Sequence, residues 1–97
     1  MRPVGLADIE RAARVLMLVA PEARQAVMRQ MIAQAEIADQ FRTANGTPHA
    51  LFGTGSLMSC AMRRQAAPRP AALGADPLQA YWVVLQVLLA RATDQSR

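Results

Sequence analysis

Between Pro21 and Gly46 the chain runs without a proline or a glycine, and this uninterrupted stretch constrains the fold more than any other feature. Proline is tolerated at the first position of a helix, where its missing N–H is an orphan anyway, and glycine supplies the left-handed residue that ends one. The segment from Pro21 to Asn45 therefore reads as one helix of about 25 residues, a rod of roughly 37 Å. Val27, Met31, Ala35, Ala38 and Phe41 share a broad face, widened by Met28 and Ile32, while Gln25, Arg29, Glu36, Gln40 and Thr43 lie opposite.

A shorter amphipathic segment precedes it. Ile9, Ala12, Ala13, Leu16, Met17 and Ala20 recur at three- and four-residue steps, so residues 7–19 form a helix with Asp8 and Glu10 in its first turn. Glu10 and Arg14 are spaced for an i, i+4 pair, as Asp39 and Arg42 are for i, i+3. The link at Ala20 is too short for anything but an antiparallel helical hairpin, with Ala12 and Ala13 facing Ala35 and Ala38 at close approach.

After Thr47 to Gly55, a turn rich in glycine and proline, a third helix is expected over 55–65, with Leu57, Met58, Ala61 and Met62 on its apolar face. Pro68, Pro70 and Gly74 make residues 66–75 a loop. Asp76 followed by Pro77 pairs an N-cap acceptor with an N1 proline, and starts a fourth helix over 77–93. The expected fold is thus all-α, a single domain of 97 residues holding a small bundle of about four helices.

That last helix is apolar almost all round. Leu78, Tyr81, Trp82, Val83, Val84, Leu85, Val87, Leu88 and Leu89 leave only Gln79 and Gln86 as polar positions before Arg91. Three neighbouring helices cover about two of its faces, so the excess points to a protein partner or a second copy, most simply a homodimer, docking on Leu78, Tyr81, Trp82, Val83, Leu85, Val87 and Leu89. The competing account is that a small four-helix core absorbs the helix and leaves Val83 and Val87 singly exposed.

A second candidate site is the segment from Arg42 to Ser56. Glycines ahead of a helix can turn backbone N–H groups toward an anion, so Arg42, His49, Gly53, Gly55 and Ser56 could bind a small anionic ligand or support catalysis. The spacing matches neither the phosphate-loop nor the dinucleotide-binding fingerprint, and the chain has no lysine. The alternative is structural: the glycines shape a turn, Thr54 or Ser56 caps the third helix, and His49 and Phe52 pack against the bundle.

Other chemistries find less support. The net charge of +4 comes from arginines spread along the whole chain, with only Arg63, Arg64 and Arg69 near one another, so a nucleic-acid interface is a further alternative and not the first expectation. One cysteine and one histidine make neither a metal site nor a nucleophile and base pair, and Cys60 reads as a small buried hydrophobe. No catalytic residue, metal or cofactor is expected. Neither a membrane-spanning run nor a secretory leader is expected from the pattern of the chain, and the expectation is a cytoplasmic protein.

The segment from His49 to Met58, the Pro21-started helix and the Asp76-Pro77 helix together resemble a group of short, alanine- and arginine-rich bacterial proteins of unknown function. The resemblance implies a stand-alone helical domain and carries no activity.

Overall fold

The computed structural model describes residues 1–95. Four helices follow one another, α1 (Leu6–Leu16), α2 (Arg24–Asn45), α3 (Leu57–Ala61) and α4 (Ala75–Gln95), with a 3-10 turn at Pro21–Ala23 leading into α2. Among the described residues there is no strand; a lone bridge joins His49 to Gly53. The chain is an all-α bundle.

The ends of the helices follow local chemistry. Asp8 reaches back to accept the Gly5 N–H at 2.8 Å, fixing the start of α1. Leu18 and Val19 donate to the carbonyls of Val15 and Leu16, so α1 tightens into 3-10 turns and ends at Leu16, three residues before the expected 19. Gly46 closes α2 in the left-handed conformation, φ 74°, with its N–H on the Arg42 carbonyl. Ser56 caps α3 by accepting the Ser59 N–H at 3.0 Å, and α3 is shorter than the expected 55–65 because Arg63 and Arg64 bond at i, i+3 spacing to Cys60 and Ala61. Helix α4 begins at Ala75 and not at Pro77, since the Gly74 carbonyl already accepts the Leu78 N–H. Asp76 is therefore inside the first turn, and its carboxylate serves a different partner from the one a cap would have.

Packing departs from a simple hairpin. Helices α1 and α2 are joined by the short Pro21 turn, yet each packs more extensively on α4 and α3 than on the other. Of the alanines expected between α1 and α2, Ala12, Ala13 and Ala35 serve this wider purpose: fully buried, they lie in one cluster with Ala61 of α3, Ala80 of α4, Leu16, Met28, Met31, Leu57 and Val84, whereas Ala38, buried as well, lies outside it. Small side chains at these positions let four short elements meet around a core with few large residues.

The segment 66–74, though irregular, is tied to α1. Ala67 donates its N–H to the Arg14 carbonyl at 2.9 Å, and Arg14 Nε donates to the Ala67 carbonyl at 2.7 Å. Arg69 takes Glu10 at 2.5 Å, so the Glu10 to Arg14 pair inferred from spacing is stretched to 4.0 Å.

Candidate functional site: the outer face of α4

Helix α4 carries two apolar faces. Ala80, Val83, Val84 and Val87 turn into the core, each no more than 7% exposed. At 100° per residue, Leu78, Trp82, Leu85 and Leu89 fall diametrically opposite, and they are 53, 63, 47 and 68% exposed. The 4-3-4 spacing of these four is the step of a helix-pairing seam, in which alternate intervals of three and four keep one stripe facing a partner. Val83 and Val87 correct the sequence expectation: they are core residues, because they share the wheel sector of Ala80 and Val84 that packs on α1 and α2. Tyr81 is half-buried against the same core.

The polar groups of α4 are distributed in the reverse of the usual way. All three charged residues of its described span, Asp76, Arg91 and Asp94, fall on the core-facing side of the wheel, at its edges and ends. Asp76 is ion-paired to Arg24 at 2.9 Å, and Arg91 to Glu36 of α2. Gln79 accepts from Arg24 as well. The outer stripe is bordered by Ala75, Tyr81, Gln86, Leu88, Ala92 and Thr93, none of them charged. A surface helix ordinarily shows charge to water and apolar side chains to the core; α4 shows apolar side chains to both.

Arg24 is what fixes α4 at its N-terminal end. It is 1% exposed, and its guanidinium donates to the carbonyls of Leu16 and Val19 at 2.7 and 3.0 Å, to Gln79 Oε1, and to Asp76 Oδ2 at 3.0 Å. One side chain thereby ties the end of α1 and the start of α2 to the start of α4. No residue pattern signals this, since an arginine at a helix start is ordinarily solvated.

The loop from Arg42 to Ser56 is brought together, and its polar groups turn to one another. Arg42 donates to the Thr54 carbonyl and to Asp39, both at 3.0 Å. Asp39 also pairs with the Met1 ammonium at 3.3 Å, and Arg42 beside it, with the ammonium's help, holds its carboxyl below the usual carboxylate range against a smaller opposing effect of burial. His49 Nδ1 accepts the N–H groups of Leu51 and Phe52, and the ring is stacked on Phe52 with centroids 4.8 Å apart and edge-on to Phe41 at 5.1 Å. Gly53 and Gly55 have φ of 87° and 99°; a Cβ on Gly53 would lie 2.0 Å from Ser59 Oγ, and one on Gly55 2.7 Å from the Asp39 Cα. The Gly53 N–H bonds the His49 carbonyl, and Ser56 Oγ is the α3 cap. Each of the five candidate residues thus has a named part in building the turn.

Cys60 is buried, its thiol within 3.5 Å of the Met31 carbonyl and Gln34 Oε1, and burial raises its pKa despite Arg64 and Arg63 nearby. A groove of about 520 Å³ runs between α2 and α4, open to solvent and crossed by the Arg91 to Glu36 pair. Among the described residues no group of three or more His, Cys, Asp or Glu could hold a metal ion, and no helix is long and apolar enough to cross a membrane.

A family model described as a domain of unknown function, DUF7742, matches residues 2–88. The chain belongs to the DUF7742 family. No curated protein and no solved structure matches it. The matched span of the DUF7742 domain takes in α1, α2, α3 and α4 as far as Leu88, so it includes Arg24, the Arg42 to Ser56 turn and three of the four outer-stripe residues.

Proposed function

We propose that this DUF7742 domain is a non-enzymatic helical interaction module that docks another protein chain along the outer stripe of α4. The observation that carries the reading is the stripe itself: Leu78, Trp82, Leu85 and Leu89, half to two-thirds exposed, aligned at helix-pairing spacing and free of charge along both borders. Singly exposed apolar residues need no explanation on a protein surface, but four in register on one rigid helix form a contiguous patch. Tryptophan and leucine in such a row supply a large contact area at small entropic cost.

The loop from Arg42 to Ser56 serves as scaffold in this account. Its cationic and N–H donors are spent on Thr54, Asp39, Ser59 and one another, and an anion would have to displace them. The arginines serve likewise: Arg24, Arg42, Arg69 and Arg91 are each paired with a carboxylate of the same chain, which weakens the case for a phosphate-binding face.

Site-specific photocrosslinking tests the reading. A photoreactive side chain in place of Leu85 captures protein chains in cells producing the domain, whereas the same side chain in place of Arg29, exposed on α2, does not. Equal capture at both positions would overturn it.

A further inference from the structure

Resting on that reading, we infer that the occupant of the α4 stripe is the α4 stripe of a second copy, laid antiparallel across a twofold axis between Trp82 and Leu85. The stripe is close to a palindrome along the helix. Counted outward from its centre it reads Leu85, Leu89, Ala92 in one direction and Trp82, Leu78, Ala75 in the other. Antiparallel pairing therefore sets Trp82 against Leu85, Leu78 against Leu89 and Ala75 against Ala92, with every layer made twice by the symmetry.

Volume decides the orientation. In a parallel pair each residue meets its own copy, so two Trp82 indoles would compete for one layer while the neighbouring layers held only leucine pairs. Antiparallel pairing gives each indole a leucine opposite and spreads the bulk over two layers, with alanine at both ends where the helices can close up. Opposed helix dipoles add to the preference.

Area and charge fit a copy of this chain. With 47–68% exposure and full side-chain areas on the order of 150–250 Å², the four residues offer roughly 400 Å² per copy. Two stripes bury roughly 800 Å², and the bordering Tyr81, Gln86, Leu88 and Ala92 carry the total past the ~1,000 Å² at which specific interfaces begin. Each chain carries +4, which would oppose association if the charge sat at the seam. Here the seam and its borders are uncharged, and the charged residues of α4 lie on its other side, so the repulsion acts only at a distance that salt screens.

The experiment pairs mass measurement with cysteine geometry. Light scattering of the full chain at high-micromolar concentration gives twice the chain mass, and Leu85→Glu halves it while the helical circular dichroism is unchanged. Leu78→Cys and Leu89→Cys variants, with buried Cys60 left in place, are bridged by a short bis-maleimide alone and as a mixture. Antiparallel pairing brings residue 78 opposite residue 89 and holds the two copies of either residue about 16 Å apart, so cross-linked dimer forms in the mixture and not in either variant alone. Cross-linking of Leu78→Cys with itself as readily as in the mixture, or a monomer mass at every concentration, overturns the inference. A monomer mass with a different chain captured at position 85 leaves the docking reading standing and removes only the second copy; a monomer mass with no capture above the Arg29 control removes both.

Discussion

Replacing Arg24 by methionine keeps most of the buried stem and deletes the guanidinium, and it tests how far one side chain holds the bundle together. Four acceptors lose their donor: the carbonyls of Leu16 and Val19, Gln79 Oε1 and the Asp76 carboxylate. They are not equal losses. The Asp76 side chain is 59% exposed, so water takes over its charge, and the pair with Arg24 is worth no more than about 1 kcal/mol. The carbonyl of fully buried Leu16 keeps the Val19 N–H but forfeits its charged donor, and a hydrogen bond to a charged group is worth about 1.5–3 kcal/mol. Removing the desolvated guanidinium gives some of this back, as it does where both members of a buried pair are replaced by apolar groups, but here the acceptors remain. The expected net loss is about 2–4 kcal/mol, out of the 5–15 kcal/mol typical of a folded domain. For a chain of this size that lowers Tm by about 10–25 °C in a circular-dichroism melt, at the usual ~4–8 °C per kcal/mol. Asp76→Asn, losing the exposed pair alone, costs about 1 kcal/mol or less. A melting point for Arg24→Met within ~3 °C of the parent, or an Asp76→Asn loss as large as that of Arg24→Met, would refute the reasoning.

The turn from Arg42 to Ser56 gives three more expectations. His49→Ala lowers stability by about 1–2 kcal/mol and speeds amide exchange at Leu51 and Phe52, whose N–H groups lose their acceptor; unchanged exchange at both would contradict the structural role. Gly55→Ala costs more than Gly46→Ala, because both have positive φ but only at Gly55 does the new Cβ meet backbone, and the difference is read from paired denaturant titrations, with equal losses counting against it. Asp39, whose pKa is lowered in the folded chain, contributes stability that is fully present above its unfolded value near 3.8 and is lost as the pH falls through the lower folded value. Urea midpoints for Asp39→Asn therefore fall less steeply below about pH 4 than those of the parent, and parallel curves would remove Asp39 from the acid response.

Helix existence and type were legible in the sequence because proline, glycine and serine punctuate it. Pro21, Gly46, Ser56 and Gly74 all stand at helix boundaries, and Asp39 and Arg42 pair as their spacing implies. Boundaries at all four helices moved by one to four residues, α2 starting at Arg24 because Pro21–Ala23 form a 3-10 turn, where 3-10 bonds or an earlier carbonyl took over, which are local choices that side-chain patterns do not report. The apolar excess of α4 was visible from composition, but not its division into two opposed faces: valine and leucine are alike to periodicity, and only the placement of α1 and α2 decides that Val83 and Val87 turn inward while Leu85 and Leu89 do not. Arg24 was illegible for a related reason, since its partners lie 5 to 55 residues away and no spacing rule connects them.

Trp82 is the one tryptophan in the chain and stands in the middle of the outer stripe, so its fluorescence reports directly on whether that stripe is covered. Emission is recorded from nanomolar to high-micromolar protein, for the parent and for Leu85→Glu. The account predicts water-exposed, red emission at dilution that moves to the blue with rising concentration in the parent and stays red in Leu85→Glu. Red emission at every concentration in the parent would contradict it.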